Sequence, residues 1–527
     1  MCVTMMLLPA AGCLRVQPKE DYGRTSGLIQ ERAGDVTIYD PAEDALVAPR
    51  VTALLEGGLT VDEAVRVALL ANWRFQAAFA EIGASRADVV QSQLLTNPSI
   101  GFSARFPEAG GRSNLMVNFG QELVDLWQIP VKKKIAEAKL EQVIADAARQ
   151  GIDLIADVKT KCSRVIALRQ TEAILRDNVR LIEWSYKLAE DRFKAGETGL
   201  LDMNLVRSSL LQVQLDLIGV QRDRRVAESE LARALGLSRW KTPWELTGDL
   251  PGATGPGNDD AGLIVAAMER RYEARFAAQD VAAAEGELRR QWLNIVPSVM
   301  LGAEAERMER RALPGRKILA DTARASLRSG TLTAPDIQTR AERDLERRQI
   351  IDALIGPTLS VTLPLYDQNQ AQIAKARFVA QSKRKAYEAL LDQVAQEVQA
   401  ASATARTAAE LVRFYETESL PQARKNLDAA QRSYEAGETN VLALIEAQES
   451  LIRQQREFVA ARRDSAIAMA ELERALGGKL DIGAGGDGDG AKANAAVSGD
   501  LPPNGKPDRT PLEPAAIDAS RRSEHHE

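Results

Sequence analysis

The chain has 527 residues, with 68 Lys and Arg against 74 Asp and Glu for a net charge of −6, and only 5% aromatic side chains. Mild acidity without basic clusters excludes a nucleic-acid binder, and an apolar content carried by Ala and Leu favours helix over a compact aromatic core. Both histidines, His525 and His526, stand at the extreme C-terminus, and Cys2, Cys13 and Cys162 form no CxxC, which excludes Ser-His-Asp, Cys-His and zinc chemistry from the folded parts.

In chain order, Met5 to Pro9 and Ala10-Ala11-Gly12 form a short apolar stretch before Cys13. Residues 1-13 are therefore read as an export signal, with Cys13 resembling a lipoprotein lipidation site. Residues 14-58 are polar and aperiodic and are expected to be an extended linker. A helix is expected from Leu59 to about Thr96, opened by the capping box Thr60-Val61-Asp62-Glu63 and stopped by Pro98. Alternation follows: Ile100, Phe102, Ala104 and Phe106 oppose Ser99, Gly101, Ser103 and Arg105, and after Gly110-Gly111 the return places Leu115, Val117 and Phe119 opposite Asn118, Gly120 and Glu122. This is a β-hairpin with one apolar face.

From Leu140 a 4,3,4,3 spacing runs to Phe193, broken only at Gly151, Lys161 and Glu172. That period predicts a helix of more than about 50 residues, packed along its length and supercoiled left-handed. Lys132-Lys133-Lys134 at its start reads as a solvated face, with lipid headgroup contact as the alternative, and Trp127 as an interfacial anchor. A returning helix follows the turn at Gly196, with Val206, Leu210, Val213, Leu217 and Val220 in the same spacing.

The design then recurs. Ala195-Gly196-Glu197-Thr198 matches Ala436-Gly437-Glu438-Thr439, and Arg233-Ala234-Leu235-Gly236 matches Arg474-Ala475-Leu476-Gly477, both at an offset of 241. Upstream, Trp73 pairs with Tyr272 and Asn97-Pro98-Ser99-Ile100 with Val296-Pro297-Ser298-Val299 at an offset of 199. Residues 59-236 and 260-477 are thus two copies of one unit, joined by a linker over 237-259, the second copy carrying an insertion at about 304-355. Arg and Glu make that insertion helix-capable. In the second copy Leu359, Val361, Leu363 and Leu365 alternate with Thr358, Ser360 and Thr362, and Pro421 should kink the incoming long helix. Residues 478-527 form a Gly, Asp, Pro and Ser-rich tail expected to lack order.

The fold class is therefore mainly α with a small transmembrane β part. No apolar run reaches 18 residues, so no membrane helix is expected. Strands with one apolar face and no second sheet to cover them suit lipid, where open edges are costly, yet four strands cannot close. Three chains would pool twelve, above the eight of the smallest membrane barrels.

At this point the sequence resembles the TolC-like outer membrane factor family. The resemblance rests on Leu59-Thr60-Val61-Asp62-Glu63-Ala64, on Phe193-Lys194-Ala195-Gly196 and Tyr434-Glu435-Ala436-Gly437, and on Leu363-Pro364-Leu365-Tyr366-Asp367. Gly356-Pro357 and Asp367-Gln368-Asn369-Gln370 are similar to its heavy-metal and cation efflux branch. It implies a homotrimer with a 12-stranded barrel in outer membrane lipid and a periplasmic α-barrel of helical hairpins. It also implies a periplasmic adaptor partner, an inner membrane pump of the RND type, no cofactor and no catalysis. By resemblance Gly196, Glu197, Thr198, Gly437, Glu438 and Thr439 lie at the periplasmic tip, in contact with the adaptor. Asp202 and Glu446 match gate positions that would form anionic rings, or they are ordinary solvated helix carboxylates; Ala443 stands where a further acidic residue could occur. The implied function is an exit duct of a tripartite efflux system. The alternatives are the outer membrane component of a type I protein secretion system and, from another class, a periplasmic coiled-coil adaptor or scaffold lipoprotein. The adaptor would need only one hairpin.

Overall fold

The computed structural model describes residues 15-34, 36-106, 113-240, 243-253, 255-309, 316-334, 339-342 and 351-479. The segment read as an extended linker is instead folded: α1 (Lys19–Ala33) and α2 (Asp44–Leu55) lie within it. Its polar composition conceals a sparse apolar set, since Ile29, Ile38, Tyr39, Val51 and Leu55 are all buried. Asp21 is fully buried too, and Arg86 donates to both its carboxylate oxygens at 2.6 and 2.5 Å. A paired internal charge, rather than solvation, explains part of that polarity.

The capping box forms as expected, with Thr60 Oγ1 accepting from the Glu63 amide and the Thr60 amide donating to Glu63 Oε2 at 2.8 Å. The single helix expected after it is two, α3 (Val61–Ala71) and α4 (Trp73–Gln91). Asn72 separates them in an extended conformation and restarts the helix by accepting from the amides of Arg74 and Phe75. The second copy breaks at Arg271, between α7 (Asp260–Arg270) and α8 (Tyr272–Leu293).

Between α4 and the next helix lie β1 (Ser99–Arg105) and β2 (Asn114–Glu122), and after α8 come β3 (Ser298–Glu309) and β4 (Ile351–Thr362). They form one antiparallel sheet in the order β1-β2-β3-β4. The register puts Ile100, Phe119, Ala303 and Pro357 in line, and Gly101, Asn118, Glu304 and Gly356 in the next. One face therefore carries Phe102, Val117, Leu301, Leu359 and Val361, all exposed, while the other carries Ser103, Gly302, Glu304, Thr358 and Ser360. The insertion is shorter than the expected 304-355, because β3 runs on to Glu309 and β4 begins at Ile351. Ala303 and Ala305 alternating with Glu304 and Glu306 still follow the strand period, although their charge reads as helix. Inside the insertion α9 (Arg316–Ser329) is helical.

The long helices are α5 (Asp125–Lys194, 70 residues) returning as α6 (Leu200–Ala234), and α10 (Gln370–Phe414) continuing into α11 (Leu420–Glu435) and returning as α12 (Val441–Ala475). A π-helical turn, Tyr415–Ser419, separates α10 from α11, with Pro421 in the first turn beyond it. The ladder is thus interrupted just before Pro421, where a π turn inserts a residue. Gly236 and Gly477 close the two copies alike, both at φ +75°, each against the helix break of its own copy. A Cβ on Gly236 would stand 2.1 Å from the Ala71 carbonyl oxygen, and one on Gly477 3.1 Å from the Arg271 Cα. Among the described residues no helix is long and apolar enough to cross a membrane.

Candidate functional site

Two regions are the candidates: the neck, where strands pass into helices, and the tip, where the hairpins turn. At the neck Asp125 opens α5 and is buried. The Thr96 amide and Thr96 Oγ1 donate to its Oδ2 at 2.7 and 2.5 Å, and Lys132 Nζ donates to Oδ1 at 2.8 Å. Burial by itself would raise this carboxyl, but the bonds from Lys132 and Thr96 outweigh it and hold the pKa down to about 2. Of the lysine triplet, Lys132 thus turns inward, while the half-buried Lys133 lies 3.7 Å from Glu137. On the second copy's side, Gln128 Nε2 donates to Asn294 Oδ1 at 2.9 Å, and Asn369 Nδ2 donates to the Gln291 carbonyl at 2.7 Å. Asn369 does so from the left-handed region, φ +60°, with its amide tied to Asp367 Oδ1.

At the tip both hairpins turn through one motif. Gly196 (φ +78°) and Gly437 (φ +76°) follow the ends of α5 and α11. The amides of Glu197 and Glu438 donate back to the carbonyls of Arg192 and Ser433 at 3.0 and 2.9 Å, which is the Schellman closure that a glycine permits. Thr198 then leads into α6, whereas in the second copy Thr439 precedes Asn440, which caps α12 by accepting from the Ala443 amide. Asp202 sits half-buried in the first turn of α6 and Glu446 exposed on α12; neither forms an ion pair among the described residues. They are not equivalent positions. At the repeat offset Asp202 corresponds to Ala443 and Glu446 to Leu205, so Glu446 lies about 4.5 Å further along its helix than Asp202 does on its own.

One contact joins the two hairpins here, and no motif announces it. Arg192 lies over the Tyr434 ring, 4.6 Å from its centroid, and its guanidinium donates to the carbonyls of Tyr434 and Glu435 at 3.0 and 3.1 Å. The helix end is thereby given a cation where its free carbonyls favour one. The only available signal was a mismatch inside the repeat, since Ser433 occupies the place of Arg192. Cys13 lies outside the described residues, as do His525 and His526 and the hairpin turn at Gly110-Gly111. Cys162 is buried in α5, its thiol pushed up to about 12 by burial, and is inert packing. No group of His, Cys, Asp and Glu among the described residues could hold a metal ion.

Among the described residues a single four-stranded sheet with an exposed apolar face, continued by two long helical hairpins in tandem, defines the fold of an outer membrane channel protein. The chain belongs to the outer membrane efflux protein family, which matches residues 64-237 and 263-478. It is accordingly an outer membrane efflux protein of the TolC-like kind, with its helical body in the periplasm. Solved structures share the fold. The outer membrane channel OprN is 18% identical over 86% of this chain and 95% of its own, with a TM-score of 0.62. CusC is 18% identical over 80% and 92%, also at 0.62. The open-state MtrE outer membrane channel of Neisseria gonorrhoeae is 16% identical over 79% and 89%, at 0.60. Curated protein sequences contain no match.

Proposed function

We propose that three copies pool their sheets into a 12-stranded barrel and their six hairpins into a periplasmic tube, forming the passive exit duct of a tripartite efflux system. The observation that carries this reading is the sheet itself. β1 and β4 bound an open four-stranded sheet among the described residues, and in hydrocarbon each unpaired backbone group costs several kcal/mol. Strands of 7 to 12 residues bracket the 9 to 11 that a tilted crossing takes. The apolar face meets lipid and the face bearing Ser103, Asn118, Glu304 and Thr358 lines water. Cys13 anchors the mature chain through lipid.

Under this reading the turns at Gly196, Glu197, Thr198, Gly437, Glu438 and Thr439 meet a periplasmic adaptor, which couples the duct to an inner membrane pump of the RND type. Asp202 and Glu446, in three copies each, form two anionic rings at different levels and favour cations. The test is the native mass of the detergent-purified protein together with its single-channel conductance in planar bilayers. A trimer with discrete, cation-favouring conductance is expected, and Asp202→Asn with Glu446→Gln reduces that preference. A monomer without conductance overturns the reading.

A further inference from the structure

A cavity of about 240 Å³ lies where α1, α3, α5 and the end of α12 come together. Lys159, on its wall, is 37 residues before Gly196, which sets the cavity about 55 Å along the helix from the tip. Five cations line it, Arg32, Arg66, Lys159, Arg474 and Lys479, against two carboxylates, Asp62 and Glu473. Among the lining residues this is an excess of three positive charges, part of which Glu471 and Glu31, outside the cavity, offset.

The two carboxylates do not neutralise the excess. Glu473 is occupied by Lys159, whose Nζ donates to it at 2.5 Å. Asp62 belongs to the first turn of α3, where free amides and the helix dipole already draw negative charge. Arg474 is paired with Glu471 at 2.8 Å, outside the cavity. Arg32 reaches Glu31 at 3.4 Å, but its Nε is buried and has no hydrogen-bond partner among the described residues. Arg66 and Lys479 form no ion pair among them. Like charges gathered in a half-enclosed cavity repel one another, and the arrangement is relieved when an anion enters. Guanidinium forks match phosphate and carboxylate oxygens in pairs, which a surface lysine cannot do.

We propose that this cavity is an oxyanion-binding site, taking a small polyanion that bears phosphate or carboxylate groups, in the periplasmic body and apart from the conducting path. The test is isothermal titration of the intact detergent-purified protein with sodium pyrophosphate and, separately, with citrate, against a chloride background. Wild type and the double variant Arg66→Gln, Lys479→Gln are compared, with circular dichroism and native mass confirming that the variant folds and assembles alike. Saturable binding of either anion, weakened at least tenfold in the variant and by rising salt, is expected, and the preferred anion identifies phosphate or carboxylate as the natural group. Absence of binding by both anions, or equal binding by wild type and variant, overturns the proposal.

Discussion

Asp125 stands where a strand gives way to a 70-residue helix, and its contacts tie that helix to Thr96, just ahead of the first strand. Because its folded pKa is lowered from 3.8 to about 2, its contribution is fully present above about pH 4 and is lost as pH falls toward 2. The shift corresponds to roughly 2 kcal/mol at neutral pH. Asp125→Asn should therefore lower the thermal midpoint of the detergent-solubilised protein at pH 7 and flatten its decline between pH 4 and 2; an unchanged pH profile would show that Lys132 and Thr96 do not hold a charge there. Nothing in the sequence marks this residue, since Thr96 lies 29 positions back and meets it only after the hairpin has folded. The Thr60-Glu63 capping box was legible because both partners fall within one turn. Residue-scale readability follows sequence separation.

At the scale of elements the heptad spacing of α5 was readable, and so were its interruptions as positions, but not their reasons. Gly151 is small because Ile29 of α1 presses on it, a Cβ there lying 2.8 Å from the Ile29 Cδ1. Since α1 has no clear periodicity, neither partner announced the other. Glu172 is buried in the seam and bridges two arginines, Arg224 of α6 at 2.8 Å and Arg176 of its own helix at 2.5 Å. Removing one partner of such a group strands the other, although these arginines can turn to water, so Glu172→Ala should cost about 1–2 kcal/mol rather than the full price of a buried pair. Replacing both Glu172 and Arg224 with Leu should cost less than Glu172→Ala, as an apolar seam needs no ion pair. Chemical denaturation followed by helical circular dichroism reads both. A double variant less stable than the single one would mean that the charge pair, not the packing, aligns the hairpin.

On the scale of the whole molecule, the duplication lets contacts inside one chain stand for contacts between chains. Tyr434 is 2% exposed beneath Arg192, while Phe193, its equivalent in the first copy, is 38% exposed; Tyr272 is 4% exposed, while its equivalent Trp73 is 67% exposed. In both pairs the second copy's aromatic is covered within the chain and the first copy's is bare. A ring of three chains offers each bare aromatic the second copy of a neighbour. The proposed closure follows from the strand count, but the unevenness it would carry does not, because that depends on one substitution within the repeat. Inside a chain the hairpins are fastened by Arg192 on the carbonyls of Tyr434 and Glu435; in the proposed trimer the equivalent position at a boundary between chains would be Ser433, whose side chain is too short to make the same reach. The tip should therefore part at chain boundaries while each pair of hairpins moves as one body. Ser433→Arg supplies the missing guanidinium, which can lie over the neighbour's Phe193 and reach the carbonyls at the end of its α5. The variant should lower the open probability of single channels in planar bilayers, and adding Phe193→Ala should restore it by removing the ring on which the guanidinium rests. If Ser433→Arg leaves gating unchanged while Arg192→Ala alone opens the channel, the fastening inside the chain is the one that moves, and the boundary between chains is not where the tip opens.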